Sequence, residues 1–219
     1  MQPIRDAMND GPFETTVLFD GATLEHFTDR DGGEVGWELD PEEGSMTVVP
    51  KTGSIVSVET FTDCFLHVEF RCPDMPEAEG QAKANSGVFL QGRYEIQVLD
   101  SFGWETPGLG DCGAIYNQHA PLMNACRAPE QWQSYDIVFR APRLDDSGAM
   151  VEHPRMTVFL NGVLIHNNAV LSGPTGGQLD EKLAEPGPLM LQDHGDEVSF
   201  RNIWLVHLPE ETSTEYEPR

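Results

Sequence analysis

The densest group of polar side chains that could do chemistry lies in the run NSGVFLQGRYEIQVLDS, Asn85 to Ser101. Glu95 and Gln97 stand two residues apart there, so on a strand they would share one face. A retaining glycosidase needs two carboxylates about 5 Å apart. Here the second position is an amide, and Asp100 would point to the opposite face of a regular strand. The spacing leaves one candidate general base, Glu95, which could equally be a glutamate that only faces water.

A second group lies in the run LQDHGDEVSFRNIWL, Leu191 to Leu205. Asp193 and His194 stand beside Gly195, which marks a turn before the last predicted strand. A carboxylate next to an imidazole can orient the ring, and both groups can bind a divalent cation. A capped turn with no chemical role explains the same residues equally well.

The elements that must position these groups are predicted to be strands. Apolar and polar residues alternate in Phe65 to Cys72, Tyr94 to Asp100 and Met156 to Asn161, which indicates strands with one buried face. A last long strand is predicted for Val198 to Leu208. Asn161-Gly162 and Gln91-Gly92 predict tight hairpin turns between antiparallel strands. The only helix that the pattern suggests is a short one at Gly177 to Ala184. The chain is therefore predicted to be all-β, with two antiparallel sheets packed face to face.

One domain is predicted to span residues 17–208, after an N-terminal arm of residues 1–16 and before a flexible acidic tail of residues 209–219. Acidic residues outnumber basic ones by 37 to 13, giving a formal net charge of -24. Such a charge repels phosphate backbones and anionic lipid, so nucleic acid and membranes are not expected as partners, and a neutral sugar is compatible. The oligomeric state is left open.

The start of the chain contains no apolar signal core, so a cytoplasmic protein is expected for the chain as it stands, or an exported one if a signal was removed. Four cysteines show no CxxC spacing and are expected to be free, buried thiols. Cys64 and Cys72 lie about 26 Å apart on one extended strand, too far for a disulfide.

Seven segments of the chain, in the expected order from about Val17 to Leu208, resemble the 3-keto-disaccharide hydrolase family, formerly the domain of unknown function 1080. They are LFDGATLEHF, NSGVFLQGRYEIQVLDS, CGAIYNQHAPLMNA, EQWQSYDIVFRAPR, NGVLIHNN, SGPTGG and PGPLMLQDHGDEVSFRNIWL. The resemblance implies a concanavalin-like jelly roll that acts on sugars whose C3 hydroxyl has been oxidised to a ketone. Because the ketone acidifies the proton at C2, one base can start elimination of the substituent at C1.

The resemblance and the two clusters together suggest roles for individual residues. Glu95 or His194 is expected to remove the proton, with Asp193 orienting His194 or binding a metal. Hydroxyl groups are expected to be held by Asn85, Arg93 and Gln97, and the sugar site to be lined by Tyr116 and Trp132. A divalent cation could stabilise the enediolate, and no organic cofactor is expected. Two alternatives remain open: a carbohydrate-binding module without activity, and an ordinary glycosidase or polysaccharide lyase, which Gln97 disfavours.

Overall fold

A computed structural model describes residues 14–210 of the chain. This range contains fifteen strands and a single 3-10 turn at Gly80–Ala82. The strands are β1 (Thr15–Phe19), β2 (Phe27–Asp29), β3 (Glu38–Asp40), β4 (Ser45–Thr47), β5 (Ile55–Phe61), β6 (Cys64–Arg71), β7 (Ser86–Leu90), β8 (Tyr94–Val98), β9 (Gln133–Arg140), β10 (Arg143–Leu144), β11 (Met150–Glu152), β12 (Arg155–Leu160), β13 (Val163–Val170), β14 (Gly187–Leu191) and β15 (Ser199–His207). No helix in residues 14–210 has the length and apolar character needed to cross a lipid bilayer.

Two antiparallel sheets account for most of the strands. The larger sheet has eight strands in the order β13-β12-β9-β6-β15-β4-β3, with β1 also paired to β15. The smaller sheet has five strands in the order β2-β5-β14-β7-β8. Their facing surfaces enclose one apolar core, and β10 and β11 form a separate ribbon. The fold is the predicted concanavalin-like jelly roll.

Alternation of side chains decides which face of each strand meets the core. On β6, Leu66, Val68 and Phe70 are buried in the core, and the residues between them face away from it. On β8, Tyr94 and Ile96 face the core, so Glu95 and Gln97 must face outward. All four predicted strands are confirmed, with bounds that differ by a few residues at most.

Both predicted hairpin turns are confirmed as well. Asn161 and Gly162 have φ values of 55° and 79°, the left-handed pair that a two-residue turn requires. Gln91 and Gly92 also have positive φ, at 54° and 66°, and they join β7 to β8. The hairpin places Phe89 opposite Glu95 and Gly87 opposite Gln97.

The predicted helix at residues 177–184 is wrong, because this segment forms only turns. It belongs to a loop, residues 172–186, that we call the covering loop. Its backbone is tied to the β7–β8 hairpin: the Thr175 amide donates to the Arg93 carbonyl at 3.0 Å, and the Leu179 amide donates to the Gly92 carbonyl at 2.7 Å. Since these amides are bonded to another segment, they are not free for helical hydrogen bonds. Leu179 packs on the outward-facing apolar side chains of the smaller sheet.

The folded domain begins slightly earlier in the chain than the sequence predicted. β1 begins at Thr15, two residues before the predicted domain start. Residues 1–13 of the predicted arm and 211–219 of the predicted tail lie outside the described residues. All four cysteines are free thiols, as predicted, although Cys126 is only half-buried.

Candidate active site

A cavity of about 230 Å³ opens on the outward face of the smaller sheet, beside the covering loop. It brings the two predicted clusters together, because Glu95 of the first and His194 of the second both line it. The full lining is Gln81, Asn85, Glu95, Gln97, Tyr116, Gly176, Gly177, Gln192 and His194. Five of the eight predicted site residues therefore share one cavity.

The carboxyl group of Glu95 is buried without a partner. The residue is only 3% exposed, and no side chain or amide of residues 14–210 donates a hydrogen bond to its carboxylate. Burial therefore raises the pKa of Glu95 to about 8, since nothing nearby stabilises the negative charge. A carboxylate of this kind is a much stronger base than an ordinary glutamate.

Gly87 makes room for this carboxyl group. A Cβ atom added at Gly87 would lie 2.5 Å from Oε1 of Glu95 and 2.8 Å from the Phe89 ring. Both contacts are far shorter than van der Waals contact, so only glycine lets Glu95 lie across β7 in this position. The backbone of Glu95 is fixed as well, because its amide donates to Oγ1 of Thr175 in the covering loop at 2.9 Å.

Three amide side chains form a hydrogen-bonded chain along one wall of the cavity. Nε2 of Gln97 donates to Oε1 of Gln81 at 3.0 Å. Nδ2 of Asn85 donates to the Gln81 carbonyl at 2.7 Å, and Nε2 of Gln81 donates to the Gly110 carbonyl at 2.7 Å. These contacts fix the orientation of Gln97 and leave its buried Oε1 without a donor. That oxygen can accept a hydrogen bond from a ligand hydroxyl.

The rest of the wall comes from three separate segments. The Tyr116 amide donates to the Glu95 carbonyl at 3.2 Å, which holds the loop after β8 against the cavity. The Gln192 amide donates to the Gly87 carbonyl at 3.0 Å, so the chain following β14 continues alongside β7. His194 lies at the exposed rim. The site thus has a buried base at its floor and an imidazole at its mouth.

A sequence profile of the 3-keto-alpha-glucoside-1,2-lyase-like domain matches residues 14–206, nearly the whole described range. The chain belongs to this family. The family resemblance found in the sequence segments is thereby confirmed, and the protein is carbohydrate-active in the broad sense. No curated protein sequence is significantly similar to the chain.

Solved structures support the same assignment. A candidate glycosyl hydrolase from Parabacteroides distasonis is 40% identical to this chain, with a TM-score of 0.81, over 89% of this chain and 84% of its own. A second candidate glycosyl hydrolase from that organism is 18% identical, with a TM-score of 0.64 over 89% and 94% of the two chains. A third is 22% identical, with a TM-score of 0.57 over 89% and 100%. The last two show that the fold is shared.

Arg93 does not line the cavity, although the sequence suggested that it holds a sugar hydroxyl. Its side chain is 1% exposed and faces the covering loop, where Nε donates to Oδ1 of Asp180 at 2.6 Å and Nη1 donates to the Glu185 carbonyl at 2.8 Å. Arg93 therefore anchors the covering loop and contributes to the site only through it.

Asp193 does not contact His194 in this structure. Its Oδ1 accepts a hydrogen bond from the Gly195 amide at 2.9 Å, and its Oδ2 accepts one from the Gly53 amide at 2.9 Å. Gly195 has a φ of 100°, as its predicted turn position requires. The carboxylate closes this turn and ties it to the neighbouring loop, so its predicted role in orienting His194 is not what the geometry shows.

Trp132 lies on the other side of the sandwich. It lines a separate cavity on the outward face of the larger sheet, where the guanidinium of Arg201 stacks 4.1 Å from its ring centre. The sequence could not separate Trp132 from Tyr116, since both are aromatic residues within segments that resemble the family. The structure places only Tyr116 beside Glu95.

The residues of the cavity do not form a preformed metal cage. Within residues 14–210, no three side chains of histidine, cysteine, aspartate or glutamate are arranged to hold a metal ion. Around the cavity only Glu95 and His194 are of these types, fewer than protein metal sites usually offer. The lining also offers the amide oxygens of Asn85, Gln97 and Gln192, which hard cations accept as ligands, so the predicted divalent cation stays a prediction.

The sequence did not point to Gln81, and it marked Gly87 only as part of the run around Glu95. Gly87 had a usable signal, because a glycine inside a strand pattern often marks a close approach of another group. Gln81 had none: it sits in the 3-10 turn and reaches Gln97 only because that turn folds back over β8.

Proposed function

We propose that this protein cleaves glycosides whose sugar carries a ketone at C3, by removing the C2 proton and expelling the substituent at C1. The observation that supports this most strongly is Glu95, a single buried carboxylate with a pKa of about 8 in a sugar-sized cavity. Membership of the 3-keto-alpha-glucoside-1,2-lyase-like family supports the substrate class.

The number of carboxylates favours elimination over ordinary glycoside hydrolysis. Glu95 is the only carboxylate among the nine residues that line the cavity, and Gln97 occupies the position where a retaining glycosidase would carry its partner. A lone base cannot start elimination from an unmodified sugar, because the C2 proton of that sugar is not acidic. A neighbouring ketone changes this by delocalising the charge that develops at C2.

The proposed reaction uses Glu95 as the base. The C2 proton moves to the Glu95 carboxylate, a double bond forms between C1 and C2, and the C1–O bond breaks with departure of the alcohol. His194 at the rim can donate the proton that the leaving oxygen needs. Water added back across the double bond would give net hydrolysis; without that step the enzyme is a lyase.

Binding of the sugar would use the polar wall. Oε1 of Gln97 is a buried acceptor without a partner, which suits a hydroxyl of the substrate. Its orientation is set by Gln81, so the acceptor is in place before the ligand arrives. Tyr116 provides an aromatic wall for the sugar ring.

The decisive experiment follows the C2 hydrogen. The protein is incubated with a 3-keto-glucoside, with the same compound deuterated at C2 and with the corresponding unoxidised glucoside, and product formation is measured against a blank without protein. We expect turnover of the keto-sugar only, with a primary isotope effect when C2 carries deuterium. Glu95→Gln should lower turnover about 10²- to 10⁴-fold, the usual contribution of a general base.

Glu38→Gln is the matched control, because Glu38 is an exposed glutamate on β3 outside the cavity. It should leave turnover unchanged. Full activity of Glu95→Gln, or cleavage of the unoxidised glucoside at a similar rate, would contradict the proposal. Binding of unoxidised glycans without turnover of any keto-sugar would instead indicate a carbohydrate-binding module.

A further inference from the structure

A second cavity lies on the outward face of the larger sheet, on the side of the sandwich away from Glu95. Its volume is about 250 Å³, close to that of the first cavity. It is lined by Glu69, Arg127, Trp132, Gln133, Ser134 and Arg201. Nothing in the proposed reaction uses this cavity.

Cationic side chains are concentrated here in an otherwise acidic protein. The chain has only 13 lysines and arginines, and three of them surround Trp132. The guanidinium groups of Arg71 and Arg201 stack on its ring at 4.8 and 4.1 Å, and Nη1 of Arg127 donates to its carbonyl at 2.7 Å. Such a concentration is unexpected on a surface with a net charge of -24.

The acceptors around the cavity are already occupied. Oε2 of Glu69 accepts from Nε of Arg201 at 2.7 Å, and its Oε1 accepts from Nδ2 of Asn202 at 3.0 Å. Both carboxylate oxygens of the nearby Glu43 accept from Arg71, at 2.7 and 2.9 Å. Every carboxylate oxygen beside the cavity therefore already accepts at least one hydrogen bond within the protein.

The donors, by contrast, are largely unused. Arg201 has no hydrogen bond from its two terminal nitrogens within residues 14–210, and Arg127 has none from Nε or Nη2. Ser134 faces outward on β9 opposite Glu69, is only 5% exposed, and its hydroxyl has no partner in the same range. The carboxylates here already accept hydrogen bonds, whereas guanidinium N–H groups and a hydroxyl have no acceptor among the described residues. Such a cavity is suited to an anion.

The side chains around Glu69 and the charges that line the cavity also favour an anion. A bulge in β15, where Asn202 has a φ of 47°, lets Arg201 and Asn202 both reach Glu69. Burial lowers the pKa of His67, but the hydrogen bond to Asp136 and the nearby Glu69 carboxylate outweigh it and the net shift is upward. Among the side chains that line the cavity, the two cations Arg127 and Arg201 outnumber the single carboxylate, Glu69.

We propose that this cavity binds a carboxylate group, such as that of an acidic sugar, between Arg127, Arg201 and Ser134. A guanidinium presents parallel N–H groups that match the two oxygens of a planar carboxylate. Since the overall field of the protein repels anions, binding must come from these local contacts and will depend on them strongly.

Calorimetric titration at low salt tests the proposal, with glucuronate as the acidic sugar, glucose as its neutral counterpart, and acetate as a carboxylate without a sugar ring. We expect glucuronate to bind at least tenfold more tightly than glucose. Arg127→Gln should weaken glucuronate binding about tenfold or more, the usual cost of losing a charge-assisted hydrogen bond. Ser134→Ala should weaken it less, and salt should weaken it in the wild type.

Arg155→Gln is the matched control: it removes the same charge from β12, opposite Arg140 and at the far end of β9 from the cavity. It should bind glucuronate like the wild type, and thermal melting should show that every variant is folded. Acetate binding as tightly as glucuronate would support the proposal and show that the carboxylate alone is recognised. Equal binding of glucose and glucuronate, or unchanged binding by folded Arg127→Gln, would overturn it.

Discussion

Glu95 on the smaller sheet and Glu69 on the larger sheet occupy comparable positions and have opposite electrostatics. Both project from the outward face of a strand, and both are flanked by core residues of the same strand. Among the residues that the structure describes, none donates a hydrogen bond to the Glu95 carboxylate, and burial raises its pKa to about 8. Burial also acts to raise the pKa of Glu69, but the nearby His67 imidazole and hydrogen bonds from Asn202 and Arg201 outweigh it and lower the pKa to about 2.

The contrast shows that burial alone does not determine what a carboxylate does. Three donors convert the same side chain from a reactive base into part of a permanently charged network. The protein supplies those donors on the larger sheet and withholds them at Glu95. A buried carboxyl group without donors lowers the free energy of unfolding when it is ionised, a cost that donors offset for an ion-paired carboxylate.

The largest expected effect of the difference between Glu95 and Glu69 is on the pH dependence of kcat/KM for a 3-keto-glucoside. Glu95 acts as a base only when ionised, so activity should rise about tenfold per pH unit below 8 and level off above it. Between pH 5 and 8 the increase is on the order of 10³-fold. Rates corrected for spontaneous elimination would check this, and a plateau already reached at pH 5 would mean that Glu95 is an ordinary carboxylate or not the base.

Substitution by glutamine should change the free energy of unfolding in opposite directions at the two sites. The folded-state pKa of Glu95 is raised, so wild-type stability is full below about pH 4.5 and falls as the pH rises towards 8. Glu95→Gln removes that loss and should stabilise the protein by a few kcal/mol at pH 8, and hardly at pH 4.

Glu69→Gln should instead destabilise the protein at pH 7, by about 1–3 kcal/mol, because it leaves Arg201 and His67 short of an acceptor. The folded-state pKa of Glu69 is lowered, so its contribution is present above pH 4.5 and is lost as the pH falls towards 2. Urea denaturation across this range measures both effects. Shifts of the same sign in the two variants would break the comparison.

Gly87→Ala should impair the Glu95 site without affecting the network at Glu69. The added methyl group must displace the Glu95 carboxyl or the Phe89 ring, and we expect a 10- to 100-fold loss of kcat because the base is misplaced. Gly173→Ala is a suitable control, since a Cβ there meets no atom within 4 Å. Normal kcat in Gly87→Ala would show that Glu95 tolerates a different position.

The smallest expected effect concerns His67. Glu69 contributes to the raised pKa of His67, so Glu69→Gln should lower that pKa, as measured by NMR titration of the imidazole. Glu59→Gln provides the control, because Glu59 contacts His207 and not His67. An unchanged pKa of His67 in Glu69→Gln would assign the shift to Asp136 alone.

Local pattern was enough to predict the fold and part of the site. Alternation along β6 and β8 placed Glu95, Gln97 and Glu69 on outward faces, because side chains of a strand project to opposite sides in turn. Asn161-Gly162 predicted its hairpin because few residues adopt a left-handed backbone at low cost. These properties depend on residues close in sequence. The helix predicted within the covering loop was wrong, because amides of this loop bond to the distant β7–β8 hairpin.

The sequence by itself determined the strands, their inward and outward faces, and the family. Only the tertiary structure decided which outward residues share a cavity and which are neutralised. Glu69 meets Arg201 and Asn202 across 132 and 133 residues of chain. The Glu95 carboxyl instead lies beside the backbone of Gly87 and accepts no hydrogen bond within residues 14–210. A carboxyl group responds to the donors and water within a few ångströms, and those neighbours are set by how distant strands pair and bulge.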